Sequence, residues 1–227
     1  MDGTSSAMLA RAYARQFLAT LLLTVVTAST ASASECRPVE ITVDTSLANI
    51  EPLVWVRHSW NQLFVAEDTL IRSITVWRPA RNDSMDTPMK LYITEVDSSF
   101  GLQRPDTKKI LLDGPNIVVP AGDGIHPIQC TWILDPPFNL PRRGQFSFQV
   151  KEDLCGGGFL ILGSTSNPYP FGGAWQTDQN VDCRAAGCCP QEYPWHGEMD
   201  LVFQIESCDL SVPTVSSSWG RMKASYH

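Results

Sequence analysis

The feature that most constrains the fold is a series of short β-type runs between Val39 and Cys208, interrupted by clusters of Gly, Pro, Asn and Asp. The interruptions recur at intervals of about 8–15 residues, which is typical of all-β sandwiches and barrels. In the run 71–77 the period-two alternation places Ile74 and Val76 on the inward side. We therefore predict an all-β fold, an antiparallel two-sheet sandwich. Its candidate strands are 40–43, 62–66, 70–78, 89–96, 109–112, 129–134, 145–150, 159–163 and 199–206.

Proline clusters mark expected strand ends. Residues 135–137 (Asp-Pro-Pro) are expected to end one strand, because proline cannot donate a hydrogen bond to a ladder. Residues 141–144 (Pro-Arg-Arg-Gly) have the composition of a turn into the next strand. These signals predict that 130–134 and 145–150 form a hairpin.

The N-terminal stretch is typical of a secretory signal peptide. Arg11 and Arg15 precede an apolar segment over 17–26, and residues 31–33 (Ala-Ser-Ala) fit the small-residue cleavage rule. This apolar segment is half of the roughly 20 residues that span a bilayer, so no membrane span is expected in the mature chain. We predict a signal peptide over 1–33, one β-sandwich domain over 34–209, a flexible tail over 210–227, and a periplasmic or extracellular location.

All seven cysteines follow the predicted signal peptide, and disulfides persist in the compartments that it implies. Up to three bridges can form, with one thiol left over. Cys130 is predicted to be the unpaired cysteine, because it lies in the strand-like apolar run 128–134. The Cys183-x4-Cys188-Cys189 cluster lacks the C-x2-C pairs of structural zinc sites, which favours disulfide stapling. The candidates for bridges, with no pairing assigned, are Cys36, Cys155, Cys183, Cys188, Cys189 and Cys208.

The charge balance narrows the class of partner. The chain has 17 Lys and Arg against 24 Asp and Glu, a formal net charge of −7, and no basic run offsets it. Nucleic-acid binding depends on cations that replace the counterions of the phosphates. We therefore expect no nucleic-acid partner.

Residues 164–197 are predicted to form a long loop, because prolines and glycines punctuate them and apolar runs are few. Long ordered loops in compact domains are commonly functional. Aromatic rings beside polar groups suit stacking on the apolar face of a sugar, so this loop is a candidate ligand surface. The alternative is that the rings pin the loop onto the sheet by burying area. The candidate ligand-binding residues are Tyr169, Trp175, Tyr193 and Trp195, and the fifth aromatic residue of the loop is Phe171.

Acidic residues interleave with these aromatic residues. Asp178, Asp182 and Asp200 carry the hard oxygen ligands that Ca²⁺ takes six to eight at a time. The D-x-D-x-D-G spacing of a calcium loop is absent. We expect these carboxylates to position polar groups or to hold one structural calcium, and we predict no other cofactor.

No catalytic motif stands out in the sequence. A G-x-S-x-G nucleophile elbow is absent, and solvent exposure explains His58, His126 and His196. Glu95 and Asp97 share one strand face if the strand reaches that far, and such pairs more often line a solvated face or hold a cation. A secreted hydrolase remains an alternative, which requires two carboxylates or a His–Ser pair converging in one cleft.

Several segments of the sequence follow one another in an order that is also found in a known class of proteins. They are QLFVAEDTLIRSITVWRPA (62–80), KLYITEVD (90–97), KILLDGP (109–115), FNLPRRGQFSFQV (138–150), GSTSNPYPFGGAWQT (163–177) and DLVFQIESC (200–208). This order resembles secreted bacterial β-sandwich modules of the jelly-roll, carbohydrate-binding-like kind. The resemblance implies a jelly-roll-like sandwich, export, and a binding or surface role with no characterised catalysis.

Together these features predict an exported, disulfide-stapled, non-catalytic binding module that recognises a polysaccharide or a cell-surface glycan. The alternative is a structural or protein-contact domain of the cell envelope, with an envelope protein as its partner. An exposed aromatic row would favour sugar, whereas a continuous sheet edge or a flat apolar patch would favour protein.

Overall fold

The computed structural model of the protein describes residues 37–55, 58–82, 87–99, 101–119, 121–153, 158–178, 194–196 and 199–209. These residues form fourteen strands and one short 3-10 turn over Thr45–Leu47. In chain order the strands are β1 (Arg37–Thr42), β2 (Leu53–Val54), β3 (His58–Ala66), β4 (Leu70–Arg78), β5 (Thr87–Asp97), β6 (Arg104–Val119), β7 (Ile128–Asn139), β8 (Gly144–Glu152), β9 (Phe159–Leu160), β10 (Gly163–Ser164), β11 (Ala174–Asp178), β12 (Pro194–His196), β13 (Asp200–Leu201) and β14 (Phe203–Asp209).

The strands form two main sheets and two short pairs. One sheet has four strands in the order β1-β14-β4-β7, and the other has six in the order β12-β11-β3-β8-β5-β6. β2 pairs with β9, and β10 pairs with β13. Every ladder is antiparallel. The predicted all-β, antiparallel fold class is confirmed.

Both main sheets contribute to one apolar core. Ile74 and Val76 of β4 are completely buried in it, as the alternation predicts. From the six-stranded sheet, Phe148 of β8 meets Phe203 of β14 edge to face, with 5.5 Å between ring centroids. Aromatic pairs in this geometry stabilise a core beyond the area that they bury.

The predicted hairpin of 130–134 with 145–150 is wrong. β7 pairs with β4 in the four-stranded sheet, whereas β8 pairs with β3 and β5 in the six-stranded sheet. The Asp-Pro-Pro sequence does not end β7, which continues to Asn139 through an irregularity in its register with β4. Trp132 and Phe146 face the same core from different sheets. Apolar alternation therefore fits either arrangement and does not choose the partner strand.

The prediction of one long loop over 164–197 is also wrong in part. β11 and β12 lie in this segment and extend the six-stranded sheet beyond β3. The sequence of β11 is AWQTD, in which only the threonine is β-branched. Its strand form comes from pairing with β3, from Ala174 opposite Gln62 to Asp178 opposite His58. Tertiary pairing here overrides a weak local preference.

Two cysteines lie among the described residues with described side chains. Cys130 is a free, buried thiol, so its prediction as the unpaired cysteine is confirmed. Burial raises the pKa of this thiol to about 12. Cys208 is buried and disulfide-bonded. No complete cysteine pair lies among the described residues, so the stapling of the fold and its connectivity stay predictions.

The predicted signal peptide and tail lie outside the described residues. Within the described ranges, no helix has the length and apolar character needed to cross a membrane. The location of the protein stays a prediction.

Candidate functional site

A groove of about 790 Å³ lies on the side of the six-stranded sheet that faces away from the core. Its strand residues, among them Leu63 and Gln145, alternate with core residues such as Phe64 and Phe146. Two connections add to the lining, one over 101–103 and one over 165–173. The lining residues that the structure describes are Leu63, Val65, Leu102, Gln103, Gln145, Thr165, Ser166, Asn167, Pro170, Phe171, Gly172, Gly173, Trp175 and Met199.

Among the residues that the structure describes, the lining of this groove carries no ionisable side chain. Its apolar part includes Phe171 and Leu102, whose side chains are 65% and 66% exposed. Its polar part consists of amide and hydroxyl side chains, namely those of Gln103, Gln145, Thr165, Ser166 and Asn167. Exposed apolar groups beside neutral hydrogen-bonding groups suit a ligand that is uncharged and amphipathic.

A buried carboxylate holds the loop that carries Phe171. The side chain of Asp200 accepts hydrogen bonds from Nε2 of Gln62 (3.0 Å) and from the backbone N–H of Tyr169 (2.9 Å). Gln62 in turn accepts a hydrogen bond from the backbone N–H of Leu201 through its Oε1 (2.8 Å). Burial raises the pKa of Asp200, while these two hydrogen bonds partly offset that effect. The carboxylate therefore joins β3, the loop and β13.

Tyr169 serves as the second anchor of this loop. Its ring packs edge to face against Phe203 of the core at 5.5 Å, and Phe171 packs against it at 5.8 Å. Its hydroxyl accepts a hydrogen bond from the backbone N–H of Val65 (2.9 Å). The side chain is only 8% exposed. These contacts favour the pinning alternative for Tyr169.

The backbone around Phe171 is held close to the sheet. Nε2 of Gln145 donates a hydrogen bond to the carbonyl of Phe171 (3.0 Å). A Cβ at Gly172 would lie 2.2 Å from the carbonyl oxygen of Leu63, so only glycine permits this approach. The Phe171 ring is therefore exposed while its backbone is fixed.

A buried polar network lies on the same side of the sheet, next to the groove. Gln149 donates from Nε2 to the hydroxyls of Ser59 and Thr177, each at 2.9 Å. Asn61 donates from Nδ2 to Thr177 (3.2 Å) and to the carbonyl of Trp175 (3.1 Å). All four polar side chains are completely buried. The network attaches β11 to β3 and β8 and so positions Trp175 at the groove.

The structure brings together some of the predicted site residues. Trp175 lines the groove but is only 5% exposed. Tyr169 and Asp200 are hydrogen-bonded to each other as part of the loop anchor. The backbone of Trp195 pairs with Gln176 in β12, and its side chain lies outside the described part. Asp178 ends β11, with its side chain likewise outside, and Tyr193 and Asp182 are not among the described residues.

The calcium prediction receives no support from the part of the chain that the structure describes. No group of three or more His, Cys, Asp or Glu side chains there is placed to hold a metal ion. Asp200 accepts hydrogen bonds from two N–H donors. Those contacts give it a structural role in the loop.

The carboxylates considered for catalysis form ion pairs. Glu95 accepts hydrogen bonds from both terminal nitrogens of Arg142 (2.9 and 2.8 Å), and Asp97 forms an ion pair with Arg104 (2.8 Å). The ring of His126 pairs with Asp123 in an exposed turn (2.8 Å). His58 lies against Gln176, with Nδ1 2.7 Å from Nε2 of that amide. The side chain of His196 is outside the described part.

A second cavity of about 630 Å³ lies between β6 and β7. Each of these strands is the last in the order of its sheet, as far as the described residues extend. Val118 and Ile133 are strongly exposed there. The cavity is lined by Ile117, Val118, Val119, Gln129, Cys130, Thr131 and Ile133.

Phe171 is the exposed aromatic residue of the groove, and the sequence prediction does not select it as a ligand contact. The sequence does carry a signal for it, because a proline precedes it and two glycines follow it, which leaves a ring at a tight turn with little chain to cover it.

No protein-family model matches the chain, and no curated protein or solved structure shows significant similarity to it.

Proposed function

We propose that the protein is an exported, non-catalytic module that binds carbohydrate in the groove of the six-stranded sheet. The observation that carries this proposal is the exposed ring of Phe171, held on an anchored loop beside neutral amide and hydroxyl side chains. A sugar ring has an apolar C–H face and hydroxyls around its edge. An aromatic face with neutral hydrogen-bonding groups beside it complements both.

The anchored loop supports tight binding for an entropic reason. Ordering a flexible loop on binding costs free energy that is subtracted from the affinity. Here Asp200, Tyr169 and Gln145 already hold the loop by hydrogen bonds in the free protein. The groove therefore meets its ligand largely preformed.

The other predicted ligand residues take different roles in this proposal. Trp175 forms part of the groove wall, and Tyr169 positions Phe171. Tyr193 and Trp195 remain candidates for the same surface. Asp178 and Asp182 remain candidates for a calcium site, which a chelator arm of the binding experiment tests.

The finer architecture belongs to the same proposal. The two main sheets would pack as a disulfide-stapled, jelly-roll-like sandwich, like the secreted modules that the sequence resembles. The contact of Phe148 with Phe203 between the two sheets supports this arrangement.

The test is retention of the purified protein on insoluble polysaccharides and a glycan array, with calcium and with chelator. We expect Phe171→Ala to reduce retention by about tenfold, the effect of losing ~1.4 kcal/mol. Its melting temperature should stay within about 2 °C of the unmodified protein, because the ring is exposed. Ile133→Ala is the matched control, since it removes an equally exposed apolar side chain from the four-stranded sheet.

Two outcomes would contradict the proposal. One is equal retention of the Phe171→Ala and Ile133→Ala variants on every glycan that the protein binds. The other is the absence of retention in both calcium and chelator.

The second candidate function is a structural or protein-contact role at the envelope. The observation that favours it is the apolar strip of Val118 and Ile133 beside the edges of β6 and β7, which pair with no further strand among the described residues. Exposed edges with apolar side chains are places where another chain can add. Sedimentation equilibrium tests the simplest partner, a second copy of this chain: self-association that Ile133→Lys abolishes would favour this role.

A further inference from the structure

From the chemistry of its lining we infer that the groove selects neutral glycans and rejects acidic ones, those with carboxylate or sulfate groups. This inference rests on the proposed carbohydrate function and adds the class of sugar. It concerns the fourteen described lining residues and the arginines that lie next to them in the sequence.

The first observation is the absence of charge among the described residues of the lining. The described lining presents five amide or hydroxyl side chains and no Lys, Arg, His, Asp or Glu. An anionic group that enters a partly apolar groove loses hydration, and without a cation beside it the hydrogen bonds of neutral donors compensate only part of that loss. A neutral hydroxyl loses less and recovers it from amides such as Gln103.

The second observation is that the cations adjacent to the groove in sequence are already paired. Arg104 follows Gln103 and binds Asp97 through two nitrogens (3.1 and 2.8 Å). Arg143 lies two residues before Gln145 and pairs with Asp68 (3.3 Å). Each guanidinium is therefore partly neutralised by a carboxylate, which weakens its attraction for an acidic sugar.

The third observation is the charge of the whole chain. With a formal net charge of −7, the protein repels polyanions at long range. Local and long-range electrostatics therefore act in the same direction. The exposed rim residue Gln103 is the position at which one substitution would reverse the local selectivity.

The experiment compares retention on matched neutral, carboxylated and sulfated polysaccharides between about 50 and 500 mM NaCl, where the screening length falls several-fold. We expect the unmodified protein to be retained on a neutral polymer equally at every salt concentration. It should show no retention on the carboxylated and sulfated forms of that polymer. Gln103→Lys should gain retention on the acidic forms by about fivefold at low salt, the effect of one exposed ion pair. Gln129→Lys adds the same charge at an exposed position of β7 and should not increase retention on the acidic forms.

The outcomes separate this inference from the proposed function. Salt-sensitive binding of the unmodified protein to carboxylated or sulfated polymer, with loss in Phe171→Ala, would overturn the neutral selectivity and keep the groove. An equal gain in the Gln103→Lys and Gln129→Lys variants would also overturn it, because the effect would then come from net charge. No retention on any polymer would overturn the carbohydrate function itself and this inference with it.

Discussion

At the residue scale, the groove loop depends on the carboxylate of Asp200. Its two oxygens accept hydrogen bonds from two buried N–H donors, one from Gln62 and one from Tyr169. Asp200→Asn keeps the size but offers one acceptor, so its own N–H₂ faces a donor and one buried N–H loses its partner. We expect the free energy of unfolding to fall by about 1–3 kcal/mol, measured by urea denaturation.

Asp113→Asn is the control for that experiment, because Asp113 is 62% exposed in its pair with Lys90. Loss of an exposed pair should cost less than about 1 kcal/mol. An Asp200→Asn variant as stable as the control would show that the loop does not need the carboxylate.

Phe171 and Tyr169 show what a sequence can and cannot predict about a site. Both are aromatic residues of one Pro-rich and Gly-rich turn. Tyr169 is buried because its hydroxyl reaches the backbone N–H of Val65 and its ring reaches Phe203. Both partners are distant in the sequence. The exposure of Phe171 follows from the position that Tyr169 occupies, so residue type alone could not rank them.

At the element scale, the buried polar network holds β11 on the sheet. The Thr177 hydroxyl receives hydrogen bonds from both Asn61 and Gln149. Thr177→Val keeps the shape and leaves two buried N–H donors with fewer acceptors. We expect a loss of about 1–3 kcal/mol in the free energy of unfolding. Faster hydrogen exchange should be confined to β11 and its partners β3 and β12.

Thr75→Val provides the matched control for β11. Thr75 is also buried, but its hydroxyl has Thr131 as its hydrogen-bonding partner, at 2.9 Å. The same chemical change there removes one contact instead of several. Equal losses of stability in the two variants would contradict the role of the network.

The strands differ in how far the sequence predicts them. β4 has the predicted bounds, because its alternation is regular and turns flank it. β11 was missed because AWQTD has little strand preference and gains its form from β3. The β7–β8 hairpin was wrong for a related reason. Local signals report turns and burial, whereas the choice of partner strand depends on how two sheets share one core.

At the scale of the whole molecule, carboxylates with lowered pKa values, in turns and at the end of β5, shape the response to acid. The Ser46 backbone N–H lowers the pKa of Asp44, and the Ser99 backbone N–H lowers the pKa of Asp97 to about 2. The His126 side chain lowers the pKa of Asp123. A carboxyl group whose pKa is lower in the folded chain than its ordinary value of 3.8 stabilises the fold at pH values above 3.8. That stability is lost as the pH falls through the pKa of the folded chain.

Asp200 acts in the opposite direction, because its pKa is raised by burial and the folded chain takes up that proton first. Asp200 titrates above the ordinary carboxyl value and the other three groups titrate below it, so we expect the melting temperature to decline between about pH 4 and pH 2. Asp97→Asn should decline less steeply over the lower part of that range. A parallel decline of this variant and the unmodified protein would contradict the assignment of the acid response to these turns.

The position of β14 has a consequence for the order in which the molecule folds. This strand is the last described element, yet it lies inside the four-stranded sheet between β1 and β4. Until Phe203–Asp209 is available, β1 has no partner in the sheet and the ring of Phe148 lacks its contact with Phe203. Completion of the core is thus postponed until synthesis has passed this strand. A chain that crosses a membrane during its synthesis would therefore still lack a completed core, and could pass through a narrow channel, until this strand has been made.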